Sequence, residues 1–223
     1  PSFFGSLLTA TQRFKEAKEY YSKIIEKEPL QPNANLLLAI LESETGRSEE
    51  GIKVLNKFLE EQPDQFMALF YRAKIYLEMD KVEEAKKDLE KSLSIRSSFS
   101  ESGIALALLY ERDGNIPKAI ETYERIQSNG AFRKHLGELY ISQNQLDKAL
   151  EAFDTYLKNV PDDLSVSLKV GLILLDRKQY KESIEVFKKI LKTEAASDNV
   201  RFYLGVAYQE AKDTKKSLEI LRK

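Results

Sequence analysis

Residues 66–99 read FMALFYRAKIYLEMDKVEEAKKDLEKSLSIRSSF. Leu69, Ala73 and Tyr76 fall at i, i+4 and i+7, which places them on one face of a helix. Met79-Asp80 breaks the period, and Val82, Ala85 and Leu89 resume it on a second helix. Each helix should run about 12 to 14 residues, or roughly 20 Å at 1.5 Å per residue. Joined by a short turn, the two lie antiparallel. Such a pair cannot bury its apolar faces alone and must stack on neighbours of the same kind.

The rest of the chain supplies those neighbours. Gly5, Ala39, Ala73 and Ala107 recur every 34 residues, and after one step of 30 the series continues through Gly137, Gly171 and Gly205. A second series, Ala17, Gly51, Ala85, Ala119, Ala149, Ser183 and Ser217, lies twelve residues behind. Four residues further on stand Tyr21, Leu55, Leu89, Tyr123, Phe153, Phe187 and Leu221. Small side chains let two helices approach closely, and a large one fills the hole beside them. A fixed period of this length predicts a stacked repeat rather than one globular core.

Punctuation agrees with the period. Thr45-Gly46, Asp113-Gly114 and Gln143-Asn144 carry turn chemistry between the helices of a pair. Pro117 sits near a helix start, where its missing N–H costs little. Pro29, Pro63 and Pro161 fall near the ends of second helices, and Asn129-Gly130 reads as a helix stop. The expected repeats are 1–31, 32–65, 66–99, 100–129, 130–163, 164–197 and 198–223 of a single solenoid. The fourth should lose about one helical turn from its second helix, either a neutral variation in length, which is the favoured reading, or a change that bends the stack or opens a lateral site. Neither end carries a polar capping helix, so the segment is expected to be a piece of a longer repeat protein.

These residues resemble the tetratricopeptide repeat, whose motif has an apolar residue at position 7, a small one at 8, an aromatic at 11 and a small one at 20. Position 7 is Phe4, Leu38, Leu106, Leu136, Val170 or Leu204, with Arg72 the departure. Position 11 is Tyr76, Tyr110, Tyr140 or Tyr208, with Leu8 and Leu174 as milder substitutes and Glu42 an outlier. The resemblance covers essentially the whole chain. It implies an all-α, right-handed superhelical solenoid of about seven antiparallel helix pairs. It implies no particular partner, because fold does not fix function.

Composition narrows the function classes. Thirty-five basic and 36 acidic residues leave a formal charge of −1, without the basic excess that nucleic-acid binders usually show. RNA binding by the related 35-residue helical repeats is disfavoured on the same ground and by the consistent 34-residue period. Lysine pairs such as Lys86-Lys87, Lys188-Lys189 and Lys215-Lys216 have acids close by and read as solvated faces. There is no cysteine, hence no disulfide or thiolate metal site. His135 is the only histidine and reads as an ordinary surface side chain. Gly103, Gly114 and Gly130 are each isolated from other glycines, so no phosphate loop exists. Asp162-Asp163 follow Pro161 in a turn and read as helix-start residues. No apolar run reaches membrane-spanning length. We therefore expect no catalytic residues, metal or cofactor, and no enzyme. Cytoplasm and a lipid-anchored bacterial envelope location stay open, as does oligomeric state.

What remains is surface. The resemblance implies that first helices line a concave groove through positions 5 and 9. Those positions are Leu36 and Ile40, Phe70 and Lys74, Ile104 and Leu108, Lys134 and Glu138, Leu168 and Leu172, and Phe202 and Val206. Some family members hold a C-terminal carboxylate with Lys and Asn there. The nearest match, Lys134, Glu138, Lys169 and Asn199, puts an anion where a donor is needed, so that clamp is rejected. Most of the lining is apolar and suits an amphipathic helix or an extended apolar peptide. The same side chains would serve equally as filler between helices, and the sequence leaves the two readings open. Arg133, Lys134, His135 and Glu138 form a charged island. The expected role is a protein-binding scaffold. Self-assembly in a larger complex, such as a bacterial pilus or secretion assembly, and a regulatory arm of an enzyme stand as alternatives. Leu172→Glu should weaken a groove complex while sparing the fold, if residue 172 faces water.

Overall fold

The computed structural model describes residues 13–126, 131–193 and 198–222. Gly5, Phe4, Leu8 and the stop at Asn129-Gly130 lie outside them. The described residues form helices and turns, with no strand. The chain divides into two compact units, Pro1–Gln127 and Ser128–Lys223. In the first unit lie α1 (Phe14–Lys27), α2 (Pro32–Glu44), α3 (Ser48–Glu61), α4 (Phe66–Glu78), α5 (Val82–Ile95), α6 (Ser100–Arg112) and α7 (Ile116–Arg125). The second holds α8 (Ala131–Ser142), α9 (Leu146–Asn159), α10 (Leu164–Asp176), α11 (Tyr180–Leu191), α12 (Asp198–Glu210) and α13 (Thr214–Leu221).

Starts and stops follow from local chemistry. Pro32 and Pro117 stand in first turns, where no N–H is missed. Asn115, Asp163 and Asp213 each accept a hydrogen bond from the N–H three residues on, which satisfies an orphan donor. Pro29, Pro63 and Pro161 each lie two residues past the last residue of α1, α3 and α9. Helix α7 has 10 residues where α3, α5 and α9 have 14, a loss of about one turn.

The turns inside the pairs are alike. Gly46, Asp80, Gly114, Asn144, Lys178 and Lys212 all have positive φ, between 56° and 78°. In each, the next residue's N–H bonds back to the last turn of the helix, as from Lys81 to Tyr76 and from Gln179 to Leu174 (both 2.8 Å). This is a Schellman closure, for which glycine is favoured. Lysine in that region pays a steric cost that glycine does not. Lys178→Gly should therefore stabilise the protein by about 0.5–1 kcal/mol, part of the relief being offset by glycine's freer unfolded chain. A urea midpoint that falls instead would show the lysine to be supported there.

The ladder of small and large residues builds the core. Ala39, Ala73, Ala107, Ala17, Ala85, Ala119 and Ala149 are fully buried. A methyl added at Gly51 would lie 2.6 Å from the carbonyl oxygen of Ala39, and Ser183 donates at 2.8 Å to the carbonyl of Gly171. At these two crossings the small residue of the second helix rests against the backbone of the small residue of the first. The large residues then close over it: Leu55, Leu89, Tyr123, Phe153 and Phe187 are all buried, whereas Leu221 is half exposed. The rings of Phe153 and Phe187 lie where a side chain at Gly137 or Gly171 would otherwise project.

Successive helices pack on one another within each unit. In addition α2 touches α4 and α10 touches α12, while no pair of second helices among the described residues packs in this way. First helices thus meet directly at one place in each unit, which puts them on the inner side there.

Candidate functional site

The inner faces of the first helices are the candidate binding surface. In the first unit, Leu36 is buried at 6% exposure and belongs to the core cluster with Leu55, Phe58 and Leu69. It is interior filler rather than lining, because it packs in one cluster with side chains of α3 and α4. Ile40 is half-buried. Phe70 is half-buried against the next core cluster, which includes Leu93 and Leu106, and its ring meets Phe99 edge-on at 5.2 Å. Ile104 is half-buried, Lys74 is exposed, and Leu108 is 52% exposed. This face therefore mixes filler with open apolar surface along α4 and α6.

In the second unit, Leu168 and Leu172 are half-buried and pack against the cluster of Ile184, Phe187, Val200 and Leu204. The expectation that residue 172 faces water is corrected: Leu172→Glu would strain that core as well as any complex. Val206 is half-buried, but Phe202 stands 56% exposed, its ring edge-on to Tyr203 at 5.7 Å.

Two members of the charged island, Lys134 and Glu138, are paired with side chains of the next helix pair. Lys134 Nζ donates to Asp163 Oδ2 at 2.9 Å, Tyr156 donates to the same oxygen at 2.9 Å, and the Val166 N–H donates to Oδ1 at 3.0 Å. Glu138 is bonded to Lys169. Spacings of 29 and 31 residues hid both pairs from the sequence. Lys134, with Val166 and Tyr156, holds the Asp163 carboxyl down at about 2, below its ordinary 3.8. A lowered folded-state pKa stabilises the fold above the ordinary value and is lost as pH falls through the folded one. Asp163→Asn should therefore lower stability near neutral pH. Its deficit against the wild type should shrink from about pH 4 and disappear as pH falls below about 2. Urea titrations of both proteins at several pH values check this; a constant deficit would mean that lost packing, not charge, is responsible.

Both departures from the repeat motif acquire a reason. Arg72 stands where an apolar side chain is usual, and its Nε and Nη2 donate to the two oxygens of Asp88, each at 2.6 Å, while Nη1 donates to Asn56 at 2.8 Å. Glu42 is 2% exposed yet ionised, clasped by Lys18 at 2.7 Å and Arg47 at 2.5 Å. Burial pushes its carboxyl up, but the two cations' hydrogen bonds outweigh that and hold it below the usual value. Arg72 thereby ties α4 to α5 and to α3, and Glu42 ties α2 to α1 and to the turn that precedes α3.

Among the described residues, no group of three or more His, Asp or Glu is placed to hold a metal ion, and no helix is long and apolar enough to cross a membrane.

Stacked antiparallel helix pairs with small residues at their crossings define a helical-repeat protein, a fold typical of protein-interaction scaffolds. Tetratricopeptide repeat models match residues 8–75, 68–99 and 135–200. The chain belongs to the tetratricopeptide repeat family. It is 23% identical over 181 residues to the TPR repeat-containing protein YpiA of Bacillus subtilis (strain 168), covering 78% of this chain and 43% of YpiA. The match thus spans less than half of that relative. Among solved structures, the C-terminal part of a TPR repeat-containing protein from Cytophaga hutchinsonii superposes with a TM-score of 0.64 at 14% identity, over 99% of this chain and 94% of that one. A chain in the structure of Naa15/Naa10 bound to HypK-THB gives 0.66 at 15% identity, over 99% of this chain and 35% of that one. At these identities the likeness is one of fold.

Proposed function

We propose that the chain is a scaffold that holds a segment of a protein partner against the inner faces of its first helices. The observation that carries this reading is the exposure of Leu108 and Phe202. Each is a large apolar side chain more than half open to water, whereas the other apolar residues described at its motif position are buried or half-buried. Apolar side chains presented on an open helical face suit the apolar face of a partner helix or an extended apolar peptide. Proteins of this family are in general non-catalytic scaffolds, and the role is read as binding. Subunits of complexes among its structural neighbours support the same direction.

Leu108→Glu and Phe202→Glu form the test, because both side chains are exposed enough that the fold should tolerate a charge. Melting should stay within a degree or two of wild type, and capture of a partner from native extract should fall sharply with at least one variant. Partner capture unchanged by both would remove the inner face as the site. Self-assembly is a second reading, favoured by Leu218 and Leu221 of α13, each about half exposed. It predicts concentration-dependent association by sedimentation that Leu218→Glu abolishes.

A further inference from the structure

Four aromatic rings form a connected floor on the first unit. Phe66 and Phe70 of α4 both meet Phe99 edge-on, at 5.0 and 5.2 Å, and Tyr71 meets Phe70 at 5.4 Å. A cation lies over each end. The Arg96 guanidinium sits 4.8 Å from the Phe66 centroid, and Lys74 Nζ sits 5.7 Å from Tyr71 and 6.0 Å from Phe70. Met67, beside Phe66 in sequence, is 40% exposed.

Neither cation makes an ion pair among the described residues, in contrast to the inner-face lysines of the second unit, Lys134 and Lys169. The nearest acids in sequence on this side are engaged elsewhere: Glu78 accepts from Ser43 and Glu101 from Ser100. Lys74 also occupies a motif position at which the other copies carry Ile40, Leu108, Glu138, Leu172 and Val206. An ammonium lying over a ring keeps donors for another group. The complement of such a strip is an apolar side chain laid on the rings with carboxylates reaching the two cations.

We infer that the inner face of the first unit takes a partner segment of acidic, amphipathic character, with Asp or Glu flanking an aromatic or aliphatic side chain. This rests on the scaffold reading above and names the chemistry of its partner.

Display of random short peptides on the immobilised 223-residue chain, followed by fluorescence anisotropy of the selected peptides, tests it. The expected peptides are enriched in Asp and Glu beside apolar residues. Their Asn and Gln counterparts should bind about tenfold more weakly or worse. Lys74→Gln and Arg96→Gln should each weaken the acidic peptides and flatten their salt dependence, with melting unchanged because both side chains are exposed. Apolar peptides without acidic enrichment, indifferent to those two variants but lost with Leu108→Glu, would overturn this inference and leave the scaffold reading intact. Enrichment of basic peptides would also overturn it. Failure to enrich any peptide sensitive to Leu108→Glu or Phe202→Glu would remove both.

Discussion

Replacing Asp88 with alanine is expected to destabilise the first unit by about 3–5 kcal/mol, the usual cost of stripping one partner from a buried ion pair. Asp88 is buried at 6% exposure. Its two oxygens take both parallel N–H groups of Arg72, whose own side chain is only 19% exposed. Arginine cannot shed its proton, so Asp88→Ala leaves a charged guanidinium in a pocket with Asn56 as its remaining hydrogen-bond partner among the described residues. Removing both charges is a different experiment. Arg72→Leu combined with Asp88→Leu restores the apolar side chain that the motif favours, and should be close to neutral or stabilising. Urea unfolding of the single and double variants separates the cases. A single variant costing under about 1 kcal/mol would mean that water reaches the pair and solvates the orphaned cation.

Phe187→Ala should cost about 3–5 kcal/mol in the second unit. The ring is fully buried, it fills the space left by the absent side chain at Gly171, and it stacks on Tyr203 at 6.1 Å. Truncation opens a cavity whose glycine wall has no side chain with which to refill it. Because repeats lend stability to their neighbours, loosening α11 should also loosen α12 and α10. Hydrogen exchange on the variant should show faster amides in all three helices. A small loss of stability with exchange confined to α11 would show that the ring is not the keystone of this crossing.

The backbone plan was legible in the sequence because it is written in side-chain size. Ala or Gly at fixed intervals, with a Leu, Tyr or Phe to cover each crossing, is a local signal that survives without knowledge of neighbours. The turns were legible where Gly46, Gly114 and Asn144 stood, and less so at Lys178 and Lys212, whose residue type gives no hint of positive φ. Arg72 and Glu42 read as blemishes because Asp88 and Lys18 stand 16 and 24 residues away on other helices, and Arg47 lies beyond a turn. The candidate site was harder. Leu36 and Phe202 occupy the same motif position, yet one is 6% exposed and the other 56%. The difference lies in what packs over each, and a period cannot report that. The same holds for the charged island: Lys134 and Glu138 look free until Asp163 and Lys169 arrive from the next pair.

The central claim is that partners meet the first helices and not the second. A photo-crosslinking residue placed at Leu108 or Phe202, with controls at the exposed Lys87 of α5 and Lys181 of α11, tests it directly in native extract. The account predicts a discrete partner adduct from at least one inner position, competed away by unlabelled wild-type chain, and none from the controls. Competable adducts from Lys87 or Lys181, with none from Leu108 or Phe202, would contradict it.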